Sequence, residues 1–153
     1  MYQKILVPVD GSATSDLGLQ EATNLAKLTG ASVRLLHVVD VLSLAIAGAG
    51  MAAVTGNVLA AVRESGRTVL RRAEESVQAA HVAVDTVLHE NTSGRVAEIV
   101  ADEATSWGAD LVVLGTHGRR GVGRLILGSD AEQVLRLAPI PVLLVRDKTA
   151  ARG

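Results

Sequence analysis

Five short runs rich in Val, Ile and Leu recur along this chain with helix-like segments between them, and that alternation constrains the fold more than any other feature. Ile5 to Val9 (ILVPV) is apolar and β-branched, and it ends at Asp10-Gly11-Ser12, a turn whose side chains suit helix capping. From Ala13 to Leu28 the apolar residues fall near helical spacing, and Gly30 stands where a C-terminal cap belongs. Val33 to Val39 (VRLLHVV) reads as a second strand, and Asn57 to Ala80 as a long amphipathic helix. Val82 to Leu88 alternates like a third strand, and Ser93 to Ser106 is helical with Ser93 as its expected cap. Leu111 to Leu114 lies in a fourth strand, Asp130 to Leu137 forms a short helix, and Pro141 to Val145 (PVLLV) is a fifth strand. Strands alternating with helices in this way imply right-handed crossovers and a mostly parallel sheet covered on both faces. The expected fold class is therefore α/β, an open, doubly wound, five-stranded parallel sheet. Ligands of such sheets bind outside the carboxyl ends of the strands, at the switch in strand order. That places Asp10 to Ser12, Val38 to Asp40 and Gly115 to Gly118 around one crevice.

Composition narrows the partners. The 153 residues are 48% hydrophobic, yet Phe is absent and Tyr2 and Trp107 are the only aromatics, so the core is aliphatic. Without aromatic stacking platforms, and with a formal net charge of −1, the chain is not expected to bind nucleic acid. The absence of cysteine fits a reducing compartment, and the opening MYQKILVPVD runs into a strand pattern, so a cytoplasmic location is expected. Val41 to Val62 carries no charge and is long enough to cross a bilayer, but its Ala, Gly, Ser, Thr and Asn gain little from hydrocarbon, and no membrane span is expected. The Ala/Gly-rich part from Val41 to Gly56 follows the second strand and is expected to form a mobile cover over the crevice. Residues 1–146 are expected to form one domain and 147–153 a disordered tail.

The segment GTHGRRGVGRLILGSDAEQVL has glycines at 115, 118, 121, 123 and 128, follows a strand and opens a helix. Glycines let a backbone approach a ligand closely, and a helix N-terminus offers unpaired N–H groups to an anion. Arg119, Arg120 and Arg124 add cations, and no carboxylate lies between Gly115 and Ser129. Gly123 to Ser129 lacks the lysine of a P-loop, and Gly121-Val-Gly123 continues to Ile126 rather than to glycine, so the dinucleotide fingerprint fails as well. His117 beside Ser129 and Asp130 lacks the G-x-S-x-G elbow of a hydrolase. His37 reads as a packed or crevice-edge strand residue, and His81 and His89 lack metal-ligand spacing, so no metal site is expected from protein side chains.

The spacing Gly-x2-Gly-x9-Gly-Ser at Gly115, Gly118, Gly128 and Ser129 resembles the nucleotide-binding signature of the universal stress protein family. The resemblance extends to KILVPVDGS at Lys4 to Ser12, LLHVVD at Leu35 to Asp40, ADLVVLGTHGRRG at Ala109 to Gly121 and PIPVLLV at Pro139 to Val145. It implies strand order 3-2-1-4-5, ATP or AMP in the crevice, and a homodimer joined through the last strand, Pro141 to Val145. It also implies roles for single residues. Asp10 would face the ribose or base, Val38 would offer backbone contacts to adenine, and Pro8 and Leu114 would line the base pocket. Gly115 would lie against the ribose, while Gly118, Arg119, Gly128 and Ser129 would hold phosphates, with His117 counted in the same binding set. Mg²⁺ would enter with the phosphates of ATP, through which it commonly binds with few protein ligands. Asp130 follows the serine where many relatives carry an apolar residue, and a carboxylate pointing inward there would repel phosphate. The expected function is a stress-response or regulatory adenine-nucleotide binder rather than an enzyme, the alternatives being a slow ATPase and a nucleotide-free dimerisation module.

Overall fold

The computed structural model describes residues 1–47, 55–92, 94–116 and 128–147. Among the described residues ten elements follow one another: β1 (Lys4–Pro8), α1 (Ala13–Thr29), β2 (Ser32–Asp40), α2 (Val41–Ala47), α3 (Gly56–Ala79), β3 (Val84–Asn91), α4 (Val96–Trp107), β4 (Leu111–Thr116), α5 (Ser129–Leu137) and β5 (Val142–Arg146). The five strands form one parallel sheet in the order β3-β2-β1-β4-β5, the α/β arrangement expected.

Side-chain alternation along the strands divides the core between two faces. Ile5 and Val7, Val33 and Leu35, Leu111 and Val113 point to one side, where Leu19, Ala22 and Ala26 of α1 and Leu70, Ala73 and Val77 of α3 cover them. Leu6, Leu36, Val112 and Leu114 point to the other, against Ala97, Val100 and Ala104 of α4 and Val134 of α5. Both layers are aliphatic. Trp107, partly buried, packs against the second of them, with the Arg34 guanidinium 4.6 Å above its ring while Arg34 donates to Asp85 and to Glu103. Those hydrogen bonds, led by the one to Asp85, raise the affinity of Arg34 for its proton against the opposing effect of burial.

Local signals explain most boundaries. The Ser12 side chain accepts from the Ser15 amide and starts α1, and Gly30 ends it in a left-handed conformation. The third strand lies further along the chain than the alternation from Val82 to Leu88 indicates. His81 adopts φ 59°, and the Val82 amide turns back to the Val77 carbonyl, so the chain is still reversing direction at Val82. Strand β3 then follows β2 to its end at Asp40↔Asn91. Helix α4 starts at Val96, where Glu98 accepts from the Arg95 amide; the expected cap, Ser93, lies outside the described residues. Val41–Ala47, the first part of the expected Ala/Gly-rich cover, is a helix with Val41 and Ala45 buried. Among the described residues no helix is long and apolar enough to cross a membrane.

Candidate functional site

The chain builds outward from β1 through β2 to β3 and then crosses to β4 and β5, so the order reverses between β1 and β4. Those two strands pair only at Ile5↔Leu111 and Leu6↔Val112. Beyond them, β4 continues beside β5 to Thr116↔Arg146, while β1 leads into its turn. The divergence opens a cavity of about 300 Å³ at the carboxyl ends of the strands, near the small end of the range for ligand sites.

The turn after β1 forms one side. Asp10 Oδ1 accepts from the Ser12 amide at 2.8 Å, and the Asp10 amide donates to Ser15 Oγ at 3.2 Å. Asp10 therefore shapes its own turn while Ser12 caps α1. No described residue bonds Asp10 Oδ2, which leaves an exposed carboxylate oxygen suited to hydroxyl donors. The end of β2 supplies Leu36, His37, Val38 and Asp40, and β4 supplies Leu114 and Gly115. Val96 and Val100 of α4, one turn apart, and Ala131 and Val134 of α5 complete an apolar slot. Asp40 is tied down at the rim: its carboxylate accepts from the Ser43 amide and hydroxyl and from Asn91 Nδ2.

Five residues singled out from the sequence, Pro8, Asp10, Val38, Leu114 and Gly115, thus line one cavity. Gly128 and Ser129 stand at the start of α5, next to Asp130, which lines the cavity. Ser129 is the first helical residue rather than the cap. Gly128 holds the cap position without a side-chain bond, and no described residue bonds the Ser129 hydroxyl. His117, Gly118 and Arg119 lie outside the described residues, as does 48–54 of the expected cover. Val96, Val100 and Val134 escaped the sequence reading, although the i, i+4 spacing of the first two marks one helical face.

Three carboxylates, Asp10, Asp40 and Asp130, line the opening, and Asp40 is the one held by Ser43 and Asn91. Outside it, Arg63 of α3 donates to both oxygens of Glu90 in β3, and this bonding holds the Glu90 carboxyl below its ordinary range despite partial desolvation. A wider cleft of about 710 Å³ runs between α1 and α3 on the opposite face and shares Val9 and Asp10 with the crevice. Its other lining combines the exposed Gln20, Asn24, Ser65, Arg72 and Ser76 on the flanks of the two helices with the buried Leu19, Thr23 and Ala73. The crevice at the strand ends combines an apolar slot with the start of α5, and it is the candidate site.

A model of the Universal stress protein family matches residues 1–146. Universal stress protein MJ0531 of Methanocaldococcus jannaschii is 33% identical over 147 residues, covering 95% of this chain and 83% of its own. A solved structure from the universal stress protein family of Burkholderia pseudomallei superposes with a TM-score of 0.72 at 32% identity, over 94% of this chain and 96% of that one. A universal stress protein from Archaeoglobus fulgidus, solved in complex with dAMP, shares the fold with a TM-score of 0.67 at 20% identity, over 94% of this chain and 98% of that one.

Proposed function

We propose that this chain, which belongs to the universal stress protein family, binds an adenine nucleotide, ATP or AMP, in the crevice between β1 and β4 and acts as a regulatory or stress-response binding protein. One observation carries the reading: Pro8, Asp10, Val38, Leu114 and Gly115, drawn from three strand ends, converge on a cavity that is apolar inside and acidic at its mouth. The apolar slot between Val38, Val100, Leu114 and Val134 suits a purine ring, and the Asp10 carboxylate suits ribose hydroxyls. Phosphates would then run toward Gly128 and Ser129, where α5 presents its first amides, with His117, Gly118 and Arg119 as the remaining contacts. Mg²⁺ would arrive on the phosphates of ATP. The dAMP held by the Archaeoglobus fulgidus protein of the same fold supports the adenine assignment. Two copies would join along β5, and the cytoplasm would be the place of action.

Titration calorimetry with ATP, AMP and GTP, with and without Mg²⁺, followed by overnight product analysis, tests the proposal. Saturable adenine binding without product supports a nucleotide sensor. Steady phosphate release would make the protein an ATPase, and a folded protein that binds no nucleotide would leave an interaction module.

A further inference from the structure

The ladder between β1 and β2 stops one rung short, and a histidine side chain stands in the gap. The register runs from Lys4↔Ser32 to Pro8↔Leu36, and the Val9 amide then donates to the Leu36 carbonyl at 2.8 Å. In a parallel ladder the next bond joins the carbonyl of that same residue to the amide two positions further along the partner, here Val38. The Val9 carbonyl instead receives Nδ1 of His37 at 2.7 Å. Its partner is a carbonyl, so Nδ1 carries the proton. Val38 has the parity of Leu36 in β2, so its N–H and C=O point toward the side where β1 has ended and the crevice begins, and Val38 lines that crevice. The imidazole is also fixed from behind. A Cβ on Gly66 of α3 would lie 2.7 Å from His37 Cδ2 and 2.9 Å from Leu88 Cδ1, so the ring is seated against bare helix backbone.

We propose that His37 is a positioning residue for adenine recognition: by occupying the Val9 carbonyl it holds the ladder open and leaves the Val38 amide to donate to a purine ring nitrogen. Adenine offers an unprotonated N1 to such a donor, whereas guanine and hypoxanthine carry a proton there, and a buried donor facing a donor is strongly disfavoured. The ligand part of this proposal rests on the nucleotide-binding reading; the open ladder does not.

The test has two arms on the full chain. In the first, without ligand, amide exchange followed by NMR compares Val38 with Leu36. In the wild type Val38 exchanges about tenfold or more faster. His37→Leu removes the donor, closes the rung and brings the two amides to within about threefold, and His37→Asn, which places an amide donor near the position of Nδ1, reopens it. His37→Gln carries its amide beyond that position and serves in place of His37→Leu if the latter does not fold. In the second arm, calorimetry compares AMP with 1-deaza-AMP, which has a C–H in place of N1. The wild type loses about fivefold on the change; His37→Leu binds both alike, and His37→Asn recovers the difference. Unchanged Val38 exchange and unchanged N1 discrimination in His37→Leu, whatever its thermal stability, would overturn the proposal and make His37 a packing residue. A wild type that binds no adenine nucleotide yet shows the expected exchange pattern would remove the nucleotide reading and the recognition role with it, leaving only the open ladder.

Discussion

Gly115 answers to the fold before it answers to any ligand. A Cβ there would lie 1.7 Å from the Thr14 carbonyl oxygen, and one on Gly18 would lie 2.6 Å from the Gly115 nitrogen, so α1 crosses β4 backbone against backbone. Neither obstacle is a side chain that can rotate away. Gly115→Ala should therefore destabilise the protein by about 3 kcal/mol in denaturant unfolding, the upper end for overpacking, with or without nucleotide. Gly128 is the opposite case: no described atom lies within 4 Å of its added Cβ, and its φ is −54°. Gly128→Ala should change stability by less than about 1 kcal/mol, so a loss of ATP affinity in that variant reads the ligand alone. Asp130 makes a separate prediction, because its carboxylate lines the crevice beside the proposed phosphate path. In EDTA, Asp130→Asn should bind ATP about threefold tighter and adenosine unchanged; weaker ATP binding would show that the carboxylate assists the phosphates rather than repelling them. The sequence marked all three residues through glycine spacing and charge. It did not reveal that Gly115 faces Thr14, because that contact joins residues far apart in the chain, and a mid-helix glycine such as Gly18 gives no sign of what lies opposite it.

At the level of elements, strands β1, β2, β4 and β5 and helices α1, α3, α4 and α5 were legible because their apolar residues repeat with the period of the element they form. Helix α2 was not, since Val41–Ala47 has no polar face to give it a period, and its burial of Val41 and Ala45 depends on the sheet beneath. The end of β3 was hidden for a related reason: His89, Glu90 and Asn91 look unlike a strand, but β2 extends to Asp40 and offers each of them a partner. Their polarity is used instead to anchor a helix, through Arg63 of α3 on Glu90. Because that bond lowers the folded pKa of Glu90, its contribution is fully present above the unfolded carboxylate value of about 4.3 and is lost as pH falls through the lower folded value. The thermal midpoint of the wild type should exceed that of Glu90→Gln at pH 6, and the difference should vanish once the pH has fallen through the lowered folded value. The effect should be small, since the two side chains remain 38% and 33% exposed. A difference that persisted at acid pH would assign it to packing rather than to the charge.

An open sheet has two edges, and in this molecule they are unlike. The β3 edge carries Asp85, Thr86 and His89 exposed and is laced to its neighbours by Arg34 and Arg63, a surface that resists pairing with another strand. The β5 edge runs Val142, Leu143, Leu144, Val145, with Leu143 at 36% exposure and Leu135 and Leu137 of α5 exposed at 46% and 43%. Its outward N–H and C=O groups offer a second copy a ladder, and a two-fold arrangement would cover the same leucines on both sides. A homodimer through Pro141 to Val145 is the expected assembly. Leu143→Glu puts a like charge into each half of that junction, so sedimentation should fall from a dimer to one 15.8 kDa chain while the fold persists. None of the described residues that line the crevice belongs to β5. The monomer should therefore keep the nucleotide affinity of the wild type, which separates loss of assembly from damage to the site. A Leu143→Glu protein that still sediments as a dimer would place the junction elsewhere than β5, and one that became monomeric but lost the nucleotide would mean that the partner copy completes the crevice.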